Sequence, residues 1–252
     1  MTGIDVRRYG EHVVEVVLDR PAALNAISTS VAHALIAAMH ELAADDSARA
    51  VVVSSSNARA FCVGADPKER ADFSDNQLLA QRPVIRELFA SVRELPMPAI
   101  AAVVGYALGG GFELALSCDV IVADSSAVFG LTEVTVGLVP GGGGTQLLPR
   151  RIGAGAAAEL VLSGRKVDAD EAFRRGIADR LVPAGQARDV ALDLATVVAG
   201  NSPLAVRGAK RAVRAAFGES NAGLAVESAA WHAAAVSADR REGIAAFAEK
   251  RT

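Results

Sequence analysis

The run Val104-Gly105-Tyr106-Ala107-Leu108-Gly109-Gly110-Gly111-Phe112-Glu113-Leu114-Ala115 decides how this chain is read. Ahead of it, Ala99 to Val104 is uncharged and partly β-branched, the composition of a buried strand. Three consecutive glycines follow, and an apolar helix then opens with one carboxylate, Glu113, in its first turn. Glycines at such a junction let a ligand approach the backbone, and the helix start offers unpaired N–H groups to a negative atom. A lone glutamate beside those donors has the placement of a general acid or base. Further along, a second isolated glutamate stands in Phe129-Gly130-Leu131-Thr132-Glu133-Val134. Upstream, Phe61-Cys62-Val63-Gly64-Ala65-Asp66 sets another glycine turn after a hydrophobic strand.

The rest of the chain supplies the frame for these segments. Its 252 residues are enough for one large domain, or a domain with an appendage, and a substantial core. Hydrophobic residues reach 51% with only 4% aromatics, so the core must be packed from Ala, Val and Leu. A net charge of −3 and a pI near 5.9 leave no basic footprint for nucleic acid. The uncharged runs Ala99–Phe112 and Val134–Pro149 are short for a membrane span and rich in glycine. Met1 to Arg8 has no apolar h-region, and Asp5 and Glu11 argue against a transit peptide, so the cytoplasm is the expected location.

Alternation of strand-like and helix-like runs fills the first two-thirds. Val13–Leu18, Ala50–Ser54, Ala99–Val104, Val120–Ala123 and Ala127–Leu131 read as strands. Ser28–Ala44 and Gly111–Cys118 read as helices, and Pro67–Leu95 as mostly helical with a break near Pro83. Asp168, with Glu171 three positions on, has the form of a helix cap before Ala172–Arg175, and Gly176 is the stop. Ile177–Val182 resembles a last strand, and from Ala187 onward the pattern is helical, with Ser202-Pro203 starting one helix whose Leu204, Ala205, Ala209, Ala212, Val213, Ala216 and Phe217 form an apolar stripe that needs a surface to cover. The reading is an α/β core over residues 1–185 and a helical region over 186–252. Periodicity by itself gives an ordinary doubly wound sheet.

The three glycine-and-carboxylate segments together resemble the crotonase family, the enoyl-CoA hydratase/isomerase superfamily. The likeness starts at Leu18-Asp19-Arg20-Pro21-Ala22-Ala23-Leu24-Asn25-Ala26 and runs through Val139-Pro140-Gly141-Gly142-Gly143-Gly144-Thr145-Gln146. It reaches Asp239-Arg240-Arg241-Glu242-Gly243 and Phe247-Ala248-Glu249-Lys250-Arg251. It implies a spiral of ββα units in place of a doubly wound sheet, followed by helices used in assembly as a trimer or dimer of trimers. Phe247 and Lys250 would then lie near a neighbour's CoA. It also implies a CoA thioester as substrate, with no metal or redox cofactor.

Hydration of a 2-enoyl thioester has two demands. Negative charge builds on the thioester oxygen, and two backbone N–H groups aimed at that atom meet it at roughly 3 kcal/mol per donor. By position the resemblance assigns them to Ala65 and Gly110. The second demand is an acid and a base, and two carboxylates sharing one water repel, so one can be protonated while the other is ionised. The resemblance gives Glu113 the role of base and Glu133 that of proton donor to carbon 2. Read locally, Glu133 and Thr135 instead alternate with Val134 and Val136 like the wet side of a strand. CoA and substrate contacts fall by resemblance on Ala22, Leu24, Gly64, Ala65, Asp66, Lys68, Gly109 and Gly110. Asp66 with Pro67 and Glu69 also reads as a helix cap and capping box, and Lys68 as a partner for a CoA phosphate.

Three departures stand out. Ala22-Ala23 lacks a basic residue that many relatives carry, Leu131-Thr132 stands where many hydratases have Gln-Pro, and Leu147 where they often have Arg. An isomerase or a carnitinyl-CoA-type dehydratase shares parts of the pattern, and a non-catalytic binding protein on this fold is the alternative of a different class. Other chemistries lack their motifs. No G-x-G-x-x-G or G-K-[ST] accompanies the glycines and no G-x-S-x-G occurs. His12, His33, His40 and His232 form no ligand spacing, and Cys62 and Cys118 read as buried thiols.

Overall fold

A computed structural model describes residues 3–215, 228–229 and 231–251. Ten strands divide between two sheets among these residues. The larger contains β1 (Ile4–Tyr9), β2 (Val13–Leu18), β3 (Ala50–Ser55), β5 (Ala99–Val103), β7 (Val120–Asp124) and β10 (Arg180–Val182), in the order β1-β2-β3-β5-β7-β10. The smaller contains β4 (Ala60–Cys62), β6 (Tyr106–Leu108), β8 (Val128–Gly130) and β9 (Val167–Asp168), in that order. Only β1 on β2 and β9 on β8 pair antiparallel; the other pairs are parallel.

The chain therefore repeats one move. The first strand of each unit enters the large sheet, the second enters the small sheet, and a helix follows. β3 and β4 lead to α2 (Pro67–Ala71) and α3 (Asp75–Arg93), and β5 and β6 to α4 (Gly110–Ser117). β7 and β8 lead through a 3-10 turn (Glu133–Val136) to α5 (Gly144–Ile152) and α6 (Ala154–Ser163). This is the spiral of ββα units, and it replaces the doubly wound sheet that alternation alone suggests. The second strands are three residues each, too short to show a period of their own.

Between the sheets and α1 (Thr29–Ala44), α3 and α4 lies the main core, packed from Val14, Val16, Leu35, Val51, Phe61, Phe89, Phe112 and Phe129 among others. The far face of the large sheet is covered by α8 (Ala187–Ala199). Its alanines 187, 191, 195 and 199 recur every four residues and are buried on Val52, Ile100 and Val122. A ridge without bulk lets the helix sit close to the sheet. One polar group interrupts this face: Glu15, 0% exposed, accepts from Ser54 Oγ, Tyr9 OH and the Arg188 guanidinium of α8.

Three local expectations are corrected. Pro83 does not break its helix; the break comes earlier, at residues 72–74, where Ser74 and Gln77 form a reciprocal capping box that starts α3 afresh. Pro83 forfeits one backbone bond inside a helix anchored by buried Leu78, Leu88 and Phe89. Asp66 does cap α2, accepting from Lys68 N and Glu69 N, yet Glu69 completes no capping box. The Asp66 N–H is already bonded to Ile27 O, so the Glu69 carboxylate accepts from Thr29 N at the start of α1. Glu133 lies on the 3-10 turn and not on a strand, because β8 ends at Gly130.

Asp168 accepts from Glu171 N at the start of α7 (Ala169–Arg175), as its spacing predicts. The helix after Ser202, α9 (Pro203–Ala215), docks through its basic residues. Lys210 and Arg214 both reach Asp119 at 2.8 Å, and Lys210 donates to Met97 O. Leu204, Ala205, Ala209, Ala212 and Val213 consequently face outward, with Leu204 79% and Val213 67% exposed. Ala216 and Phe217, read as part of the same stripe, lie outside the described residues. Among the described residues no helix is long and apolar enough to cross a membrane.

Candidate active site

Parallel pairing in the small sheet explains why distant segments meet. β4, β6 and β8 are neighbours, with Cys62 beside Ala107 after a register shift in β4 and Leu108 beside Gly130. Their carboxyl ends therefore open side by side, the place where α/β sheets collect ligands. From β4 comes Val63-Gly64-Ala65, from β6 the turn at Gly109-Gly110 with Glu113 behind it, and from β8 the segment carrying Glu133. Gly64, Ala65, Gly109, Gly110, Glu113 and Glu133 all line one cavity of about 170 Å³.

Gly64 is required by geometry twice over. It sits at φ +88°, and a Cβ there would lie 2.9 Å from Leu108 O and 3.0 Å from Gly110 N. That contact is what sets the Ala65 and Gly110 backbones together. Gly110 opens α4, so its N–H is one of the first-turn donors with no acceptor inside the helix. At the other turn, Ile27 N donates to Gly64 O and Asp66 N to Ile27 O. This bridge takes the Gly64 carbonyl and the Asp66 N–H and leaves the N–H of Ala65 outside its ladder.

The Glu113 carboxylate is 3% exposed. Its Oε1 accepts from Gly142 N at 2.7 Å and Gly144 N at 2.9 Å, so the glycine-rich loop after Pro140 folds over it. A Cβ on Gly142 would come within 2.3 Å of the Phe89 ring and 2.7 Å of Glu113 Oε2. The loop's carbonyls are held from α3: Arg82 Nη1 donates to Gly141 O, and Arg93 Nη1 to Gly142 O at 3.2 Å. Arg82, 4% exposed, also stacks 4.6 Å from the Trp231 ring. Glu133 approaches from the opposite wall, its Oε1 3.1 Å from where a Cβ on Gly109 would sit.

The remaining expected positions frame the cavity without lining it. Ala22 lies in a 3-10 turn (Pro21–Ala23) closed by Leu24 at φ +50°, and this turn joins the site through the Ile27 bridge to Gly64. Asp66 caps α2 and takes the Arg20 guanidinium, which holds its carboxyl below the ordinary range against the cost of burial. Lys68 projects exposed from the first turn of α2. Sequence reading missed Arg70, Arg82 and Trp231, all of which line the cavity. The two thiols are buried, and desolvation pushes both up to about 12, which makes them poor nucleophiles.

The chain is similar in sequence and in fold to known proteins. The 2,3-dehydroadipyl-CoA hydratase of Escherichia coli (strain K12) is 42% identical over 244 residues, covering 96% of this chain and 94% of that one. Among solved structures, carnitinyl-CoA hydratase from Mycobacterium avium superposes with a TM-score of 0.90 at 36% identity, covering 100% of this chain and 97% of the other. An enoyl-CoA hydratase from Bacillus anthracis gives 0.84 at 39% identity, covering 99% and 97%. The enoyl-CoA hydratase/isomerase family model matches residues 8–252. With the spiral of ββα units and its cavity already in place, the chain belongs to the enoyl-CoA hydratase/isomerase family of enzymes.

Proposed function

We propose that the protein adds water reversibly across the 2,3 double bond of a short 2-enoyl-CoA thioester, using no metal or redox cofactor. One observation carries this reading: two carboxylates from different elements and two turn amides line a single cavity. Ala65 N–H and Gly110 N–H receive the thioester oxygen as it gains enolate charge, each worth roughly 3 kcal/mol. The positive end of α4 adds to that stabilisation. Glu113 and Glu133 hold the water between them. The water oxygen bonds to carbon 3 as its proton passes to Glu113, and the proton on Glu133 goes to carbon 2 as the enolate collapses. Two amides on Glu113 Oε1 keep that carboxylate aimed while it works. The turn at Ala22–Leu24 and exposed Lys68 take the CoA portion. The E. coli and M. avium relatives are named as hydratases of CoA thioesters, which favours hydration over isomerisation.

The test follows the fading of the conjugated enoyl-thioester absorbance with crotonyl-CoA, before and after EDTA treatment. Turnover that survives the chelator is expected. Activity lost to EDTA and restored by a divalent ion would overturn the metal-free part. Turnover only of a 3-enoyl-CoA would replace the hydratase reading with an isomerase.

A further inference from the structure

A cavity built for a plain alkyl chain needs apolar walls, and most of this one has them in Ile27, Ile85, Phe89 and Val136. Two cations interrupt them: Arg82, which is engaged with Gly141 O and the Trp231 ring, and Arg70 of α2, which the proposed chemistry does not use. Arg70 is half-buried, lines the cavity, and is fixed from behind. Its Nε donates to Gln81 Oε1 at 3.0 Å, and Gln81 Nε2 in turn donates to Thr29 Oγ1 at 2.7 Å and Glu69 Oε2 at 3.1 Å. Gln81 is itself 5% exposed, so the chain of bonds is anchored in the protein interior. Among the described residues that single bond is the only one the Arg70 side chain makes, and no carboxylate lies within ion-pair distance of it. Burial pushes the guanidinium down to about 10, with Arg240 and Arg82 adding to the effect and Glu69 and Glu133 opposing it. It is still a cation at neutral pH. A desolvated cation with two terminal amino groups and no counter-ion is costly unless the ligand completes it.

We propose that Arg70 makes the acyl end of this site selective for CoA thioesters whose acyl group ends in a carboxylate. This rests on the reading of the cavity as an acyl-CoA site. The planar fork of a guanidinium matches a carboxylate with two parallel bonds, which an alkyl end or a hydroxyl cannot match. The CoA phosphates are a worse fit, because Arg70 shares its cavity with Glu113 and Glu133 at the reacting end, whereas Lys68 projects into solvent.

Binding of saturated thioesters tests this without invoking hydration. Calorimetry on the full chain would compare glutaryl-CoA with pentanoyl-CoA and adipyl-CoA with hexanoyl-CoA, pairs of equal carbon number that differ at the acyl terminus. The acid of at least one pair should bind about 10- to 100-fold tighter, the range of a hydrogen bond to a charged group. Arg70→Met should collapse that ratio, and Arg70→Lys should retain part of it. Thermal melting checks that the variants fold; if Arg70→Met does not, Arg70→Lys and Arg70→Gln carry the comparison. Equal affinities in both pairs overturn the inference while leaving the acyl-CoA reading intact. A preference that survives Arg70→Met, or a loss equal for acid and alkyl thioesters, also overturns it; the latter would place Arg70 on the CoA phosphates. Failure of all four to bind would overturn the acyl-CoA reading and this inference together.

Discussion

Replacing Glu113 separates two jobs that the structure gives one side chain. Its Oε1 is the acceptor for Gly142 N and Gly144 N, and its carboxylate is the proposed base. Glu113→Ala leaves both amides without their acceptor in a place where the native side chain is 3% exposed. An unmade buried bond costs about 1–3 kcal/mol, which sets a range of about 2–6 kcal/mol for two. The site adjoins a cavity, so water enters to satisfy part of the demand, and the lower end, about 2–3 kcal/mol, is expected. For a chain of this size that is a fall in Tm of about 5–10 °C. Glu113→Gln keeps an oxygen where both amides need one and should melt within about 1 kcal/mol of the parent, yet it cannot take a proton. Its turnover should fall by about 10²–10⁴-fold. Scanning calorimetry and the enoyl absorbance assay on both variants give the two numbers. A Gln variant as unstable as the Ala variant would refute the acceptor geometry, and a Gln variant with near-parental turnover would refute the base.

Glu133→Gln should slow hydration by about 10²–10⁴-fold, and the double variant with Glu113→Gln should fall well short of the product of the two, because both act on one water; multiplicative losses in steady-state kinetics would count against a shared water. Arg188→Met should destabilise the fold by about 3 kcal/mol at pH 7, since it strands the buried Glu15 carboxylate without its cation. Glu15 is held below its ordinary 4.5 by bonds from Arg188, Ser54 and Tyr9 acting against desolvation. Its contribution is therefore present above about 4.5 and lost as pH falls through the lower folded value. The gap between parent and variant in urea melts should thus narrow in acid, and a gap that widens instead would show that the network is not what holds α8. Light scattering should find the intact chain as a trimer or dimer of trimers, covering Leu204 and Val213 on the outward face of α9, with smaller particles when it is truncated before Ser202; a monomeric, fully active intact chain would refute that assembly.

How much of this was legible in the sequence depended on whether the signal was local. The cap at Asp168, the proline start at Pro203 and the all-buried strand Val13–Leu18 each carry their cause within a few residues. Pro83 misled because a proline's cost is local but the helix's stability is not: buried Leu78, Leu88 and Phe89 outweigh one missing bond. Glu69 misled for a similar reason. The capping-box spacing was present, but Asp66 N had a better partner in Ile27 O, brought by a bridge that no window of sequence contains. The outward apolar face of α9 was visible as a stripe. Which side of that helix would dock was not, because the decision lies with Asp119, distant in sequence and paired to Lys210 and Arg214.

The site shows the same division more sharply. Glycine turns and a glutamate in a first helical turn can be read as a donor-and-base pair, since both halves are adjacent in Gly109–Glu113. Glu133 could not be read that way. Its neighbours have the alternation of a strand face, and only the end of β8 at Gly130, with Gly137 at φ +71° closing the following turn, gives the 3-10 geometry that turns it into the cavity. What the sequence lacked was the lateral order of β4, β6 and β8, which is fixed by strands of three residues. Arg70 and Trp231 were harder still. An arginine one turn into a capped helix reads as a solvated cation, and a lone tryptophan reads as core. Each becomes a wall of the cavity only because α3 threads between them: Gln81 ties down the Arg70 guanidinium, and Arg82, the next residue, stacks on Trp231. Family motifs therefore point to the proposed reacting end of the cavity, while the side chains proposed to select among acyl groups are ones that adjacency in sequence does not reveal.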